Sequence, residues 1–140
     1  MAKLVRLFLW IILGAAMLNS PAWAADKAGL FVNLSSDAPH RAEMALTFAQ
    51  RQLKNGHPVV IFLNLEGTRL AAAKATPRAG SKAPGMLKAF IAGGGKVIAC
   101  QHCMEQLGMK DDDLLQGIRK GNPDVTGAAL FDDSTRSISW

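Results

Sequence analysis

The 140 residues are the length of a single domain, and 16 Lys and Arg against 11 Asp and Glu give a formal net charge of +5. Two of those bases, Lys3 and Arg6, fall in a leader that holds no acid, so the remainder carries only +3. An excess that small, without a basic stripe interleaved with aromatics, does not indicate nucleic acid, and no nucleic-acid partner is expected; no internal repeat or low-complexity segment points to a solenoid or a tail.

The leader has the three parts of a secretory signal peptide. Lys3 and Arg6 supply the basic start, Leu7 to Leu18 form an apolar run broken only by Gly14, and Ala22-Trp23-Ala24 ends it with small residues. The run is shorter than the ~20 residues a spanning helix needs, and no Cys follows it to take a lipid. The expected products are a signal peptide over residues 1–24 and one domain over 25–140, periplasmic or secreted, with no membrane attachment after cleavage. Export also places the cysteines where disulfides persist.

After a short tether, Leu30 to Leu34 predicts a first buried strand. Ser36 or Asp37 then caps a helix that tolerates Pro39 in its first turn and buries Ala42, Ala45, Leu46, Ala49 and Leu53, ending at Asn55-Gly56. Pro58 to Leu65 reads as a second strand, with Glu66-Gly67-Thr68 as its turn; His57 before it is a loop residue at the opposite end from the strand-end groups. Arg69 to Gly85 is basic and turn-rich, a solvated connection or a docking loop using Arg69, Lys74, Arg78 and Lys82. A short helix over Met86 to Ile91 stops at Gly93-Gly94-Gly95.

Lys96 to Ala99 predicts the third strand, followed by the only two cysteines, Cys100 and Cys103, and a short helix that ends at Gly108. Asp111-Asp112-Asp113 suits the start of a helix over Leu114 to Ile118 better than a metal site. Residues 119–133 are ambiguous between a helix begun at Asn122-Pro123 and an extended segment, and Ser134 to Trp140 alternates as an edge strand. Alternating strands and helices predict a single three-layer α/β domain with a mainly parallel sheet.

In such sheets, reactive groups gather beyond the carboxyl ends of the strands. That rule brings together Ser35, Ser36, Asp37 and His40, then Asn64, Glu66 and Thr68, and finally Cys100, His102 and Cys103. Cys100 and Cys103 are the candidate reactive pair, with His102, His40, Asp37 and Asn64 in support. A cysteine where a strand meets a helix favours the thiolate, which makes Cys100 the expected low-pKa nucleophile, with Cys103 as the thiol that resolves it. Two inert cysteines or a structural disulfide are the plain alternative.

No cofactor is implied. Gly93-Gly94-Gly95 precedes a strand instead of following one, so it is no dinucleotide fingerprint. Cys-Gln-His-Cys lacks the His directly after the second Cys that haem attachment needs, and zinc needs further ligands. A soft Cu(I) site from Cys100, Cys103, Met104 and Met109 is the one metal alternative. The position of the pair after the third strand argues against a thioredoxin fold.

The block Val97-Ile98-Ala99-Cys100 with Cys103-Met104, Gly108-Met109, Asp113-Leu114-Leu115 and Gly117-Ile118 resembles the DsrE/DsrF-like family. So do Asp37-Ala38-Pro39, Ala45 to Ala49 and Gly56-His57-Pro58-Val59 running to Leu63-Asn64 and Gly67. The resemblance spans nearly all of the expected mature chain and implies a flavodoxin-like fold assembled as homo-oligomers. It also implies a role for Cys100 as the carrier of a persulfide passed between a donor and an acceptor, either protein or small sulfur compound. Export and the second Cys depart from the relay pattern and keep a thiol-disulfide redox protein, or a binding module for a soft metal or a partner, as alternatives.

Overall fold

The computed structural model describes residues 27–140; the signal peptide expected over residues 1–24, with its cleavage site, lies outside the described residues. Five short strands, β1 (Leu30–Leu34), β2 (Val59–Leu63), β3 (Lys96–Cys100), β4 (Ile118–Gly121) and β5 (Arg136–Ser139), make one sheet in the order β4-β3-β2-β1-β5. Every adjacent pair is parallel, so all five carboxyl ends point to one edge. The helices are α1 (Pro39–Lys54), α2 (Ala83–Ala92), α3 (Gln101–Gln106) and α4 (Pro123–Leu130), with 3-10 segments at Leu65–Ala71 and Asp111–Asp113.

Side chains alternate across a strand, and here the alternation divides the layers. Val32, Leu34, Val59, Ile61, Leu63, Val97 and Ala99 turn to one face and form a single core with Ala42, Ala45, Leu46 and Ala49 of α1 and Leu87 and Phe90 of α2. On the other face the rings of Phe31 and Phe62 meet at 5.9 Å, and Val60 and Ile98 share a cavity with Val125, Ala128 and Ala129 of α4. Two helices on one side and one on the other give the three layers. Among the described residues no helix is long and apolar enough to cross a membrane.

The sequence expectations hold for β1, α1, β2, β3 and the edge strand β5, and the ambiguous stretch resolves into the end of β4 followed by a helix. Asn122 is its cap, accepting the Val125 N–H at 2.8 Å with Oδ1, and Pro123 stands at its first position. Three expectations fail. Leu114 to Ile118 is no helix: Leu114 bridges Ala72, Leu115 N–H bonds the Ala71 carbonyl at 2.8 Å and Ala73 N–H bonds that of Asp113 at 2.7 Å. These long-range bonds, and the burial of Leu115, override the local helical spacing. Gly117 at φ +89° then turns the chain into β4.

The second failure is the cap of α1. Its N-cap is Ala38, without a side-chain bond, because Ser36 Oγ accepts the Ala38 N–H outside the helix and Asp37 faces two arginines instead. The third is the turn at Glu66-Gly67-Thr68, which is wound into the 3-10 segment. That segment lies against the end of β1. Gly67 N–H bonds the Ser35 carbonyl at 3.1 Å, Asn64 N–H bonds that of Leu34 at 3.1 Å, and the Thr68 hydroxyl donates to Leu63 at 3.2 Å.

Candidate functional site

Cys100 is the last residue of β3 and the N-cap of α3, so it stands on the carboxyl edge of the sheet. Its sulfur does what a serine or aspartate oxygen does at such a position: it accepts the Cys103 N–H at 3.2 Å. Both thiols are free and half-buried. Cys103 Sγ in turn accepts the backbone N–H of Leu65 at 3.2 Å. Leu65 takes φ +46°, the left-handed region that a branched side chain disfavours, and its side chain is 61% exposed. The strain buys no packing for the leucine; it aims an amide at a sulfur.

Each cysteine has its own cavity. Cys100 lines one of about 440 Å³ with Phe62 of β2, Gly121 at the end of β4, and Asn122, Pro123 and Thr126 at the start of α4. Cys103 lines one of about 320 Å³ with Leu65, Glu66, Arg69, Gln106 and Leu107. His102 is the one residue on the wall of both. It is exposed, with Nδ1 4.0 Å from the Glu105 carboxylate.

The acidity of Cys100 runs against expectation. Burial, then the hydrogen bond shared with the Cys103 sulfur, push its thiol above the ordinary value, and the backbone N–H groups of Cys103 and His102 only partly oppose this. Cys100 is therefore a thiol that must be relieved of its proton as it reacts, in place of the standing low-pKa thiolate that its strand-end position suggests.

Asp37, 7% exposed, is held by Arg78 at 2.7 Å and Arg69 at 3.5 Å. Burial alone raises its carboxyl, but the hydrogen bonds and charges of Arg78 and then Arg69 outweigh it and keep the group below the usual carboxylate range. A carboxyl depressed by folding stabilises the fold fully above its unfolded pKa, about 4, and loses that contribution as pH falls through the lower folded value. Asp37→Asn is accordingly expected to unfold at lower urea than the parent at pH 7, with the two midpoints converging below about pH 4; a gap that stays constant down to pH 2 contradicts the assignment.

The other expected supports are dispersed. Asn64 follows β2, and its amide donates to Asn33 Oδ1 at 2.9 Å while Asn33 donates to Ser139 Oγ at 3.3 Å; it ties β2, β1 and β5 together and contacts neither sulfur through these bonds. His40 is exposed in the first turn of α1 and lines neither cysteine cavity. Asp37 and Arg69 border a separate cavity with Arg78, Leu107 and Met109, so only Arg69 and Leu107 are shared between the Asp37 cavity and that of Cys103. The soft-metal set is divided too: Met104 is buried in the core, and Met109 faces the Asp37 cavity. Among the described residues no three His, Cys, Asp or Glu side chains are grouped to share a metal ion.

Nothing in the sequence marks Leu65 as the donor to Cys103, since a backbone amide carries no residue signature. Phe62, Gly121 and Thr126 around Cys100 were equally hidden. Gly121 belongs to a strand that the sequence did not announce, and an added Cβ there would stand 2.5 Å from Ile98 Cγ2. The arginines of the basic loop were visible as a charge cluster, but their role in holding Asp37 depends on the loop folding back.

A model of the DsrE/DsrF-like family matches residues 26–133. No curated protein matches the sequence. Among solved structures, the chain is similar to MTH1491, a protein of unknown function from Methanobacterium thermoautotrophicum, at 14% identity and a TM-score of 0.69 over 81% of this chain and 100% of that one. It is also similar to the ychN protein from E. coli, at 17% identity and a TM-score of 0.64 over 80% of this chain and 99% of that one. Both likenesses are of fold.

Proposed function

We propose, because this chain belongs to the DsrE/DsrF-like family and that family has a sulfur-relay-type role, that it carries sulfane sulfur as a persulfide on Cys100. The observation that carries the proposal is the placement of a free, half-buried thiol at the carboxyl end of β3, opening into a cavity of about 440 Å³. A carrier needs a sulfur that a donor can reach, that attacks and is attacked in turn, and that is sheltered enough for the persulfide to survive between the two events. Its donor and acceptor are a partner protein or a small sulfur compound. The carrier is exported by its leader and works as a homo-oligomer.

A second role rests on one observation, the closeness of two free cysteines, where the Cys103 N–H meets Cys100 Sγ at 3.2 Å. Two thiols one helical turn apart can be joined as a disulfide by a thiol oxidant that takes two electrons as both protons leave, and the pair would then pass electrons. A reduction potential below about −300 mV would mark that bond as structural and remove the redox role.

The test of the carrier is retention and hand-over. Reduced protein is incubated with inorganic polysulfide and desalted, and its cyanide-labile sulfur is assayed before and after addition of a small thiol acceptor. The expected result is close to one sulfane sulfur per chain, passed to the acceptor. Protein that retains none after desalting overturns the proposal.

A further inference from the structure

The two cysteines do not share an entrance. Cys100 opens between β2, β4 and α4, and Cys103 opens between the 3-10 segment Leu65–Ala71 and the far end of α3. Yet the two residues adjoin: the Cys103 N–H reaches Cys100 Sγ at 3.2 Å. A single carrier cysteine with a resolving partner would need only one mouth. Two adjoining sulfurs with separate cavities make a short path with an entry and an exit.

The entry is distinguished by charge. Arg69 lines the Cys103 cavity, its side chain is about half exposed, and it holds Asp37 at 3.5 Å, a looser contact than the 2.7 Å of Arg78. A guanidinium has five N–H donors in a fixed fork, so this one has donors free for an anion. Glu66 lies on the same wall, which makes Arg69 a localised anchor and not part of a general positive field. The Cys100 cavity has no Lys or Arg on its wall.

We propose that a small anionic sulfane donor, of the polysulfide or persulfide kind, is anchored by Arg69 and loads Cys103, and that Cys103 passes the sulfur to Cys100 for delivery through the other cavity. This rests on the carrier function and specifies its entry. In the first step the Cys103 thiolate attacks the outer sulfur of the donor. A Cys103 Sγ–S bond forms as the donor's own S–S bond breaks, and the donor leaves one sulfur shorter with the electron pair. In the second step Cys100 attacks the outer sulfur of the Cys103 persulfide. The Cys100 Sγ–S bond forms, the bond to Cys103 breaks, and Cys103 leaves with the pair and takes up the proton that Cys100 gives away. No disulfide is made, and neither an oxidant nor a reductant is required.

The test is a rapid-quench time course with inorganic polysulfide, read by mass spectrometry of the alkylated peptide that carries both cysteines, fragmented to assign the added sulfur to one or the other. In the wild-type chain, sulfur is expected on Cys103 before Cys100. In Cys100→Ser it is expected to accumulate on Cys103, and in Cys103→Ser loading of Cys100 is expected to slow at least tenfold. Arg69→Gln is expected to slow the loading of Cys103 by about 5-fold, the scale of one exposed ionic contact. Sulfur appearing first on Cys100 in the wild type, or loading of Cys100 at the parental rate in Cys103→Ser, overturns the relay; an unchanged rate in Arg69→Gln overturns the anchor. The wild-type order needs no variant to fold. Failure of the carrier function looks different, since neither cysteine of the wild type would then hold sulfur.

Discussion

Cys100→Ser is expected to abolish hand-over of sulfane sulfur to an acceptor thiol while leaving the fold intact. Serine supplies a hydroxyl that is no sulfur nucleophile at neutral pH, so delivery falls to background. The same hydroxyl is a better N-cap than a thiol. It accepts the Cys103 N–H that Cys100 Sγ now accepts at 3.2 Å, so α3 keeps its first turn and Tm stays level or rises slightly. Loss of transfer with an unchanged melting curve separates chemistry from structure; a variant that still delivers sulfur at the parental rate places the carrier sulfur elsewhere. Both readouts come from one preparation, by acceptor assay and by thermal denaturation followed with circular dichroism.

Gly67→Ala is expected to have the largest effect on stability. An added Cβ would stand 2.3 Å from the Leu34 carbonyl oxygen and 3.0 Å from its carbon. Both are backbone atoms of β1 and cannot rotate away, so the 3-10 segment Leu65–Ala71 must lift from the strand end. Overpacking of this kind costs about 2–3 kcal/mol, which for a domain of this size lowers Tm by roughly 10 °C. The lift also draws Leu65 back from Cys103, whose sulfur takes the Leu65 N–H at 3.2 Å, so altered Cys103 reactivity toward a thiol reagent accompanies the lower Tm. A Gly67→Ala chain that melts with the parent contradicts the close packing of this segment.

The elements that the sequence displayed are those whose local pattern and tertiary role agree. Leu30–Leu34 and Val59–Leu63 are apolar runs because both faces of a central parallel strand are covered, and the alanine stripe of α1 follows its buried face. β4 was hidden because Ile118-Arg119-Lys120-Gly121 has one large apolar residue and lies at the sheet edge, where little burial marks the pattern. The preceding Leu114-Leu115 looked helical and is held extended by the bridge to Ala72, a contact between distant segments that no window of sequence contains.

The site divides in the same way. The topology alone put Cys100 at the reactive edge, since an apolar strand ending in cysteine has only one place to put it in a parallel sheet. Its acidity was not legible, because that depends on burial and on the sulfur of Cys103, and position in the chain reports neither. Asp37 was noticed for its place after β1, yet its partners Arg69 and Arg78 come from two later segments. His40 and Asn64 share the edge of the sheet with the cysteines, but proximity to an edge is weaker than proximity to a sulfur. Asn64 is instead occupied with Asn33.

The central claim is a persulfide on Cys100, and the most direct measurement is peptide mapping of the wild-type chain after equilibration with polysulfide, with free thiols and persulfides trapped by alkylation. The account predicts that fragmentation of the peptide that carries both cysteines places the mass of one added sulfur atom on Cys100, and that a reductant removes the gain together with its alkylated cap. Equilibrated protein whose added sulfur lies only on Cys103, or on neither cysteine, contradicts it.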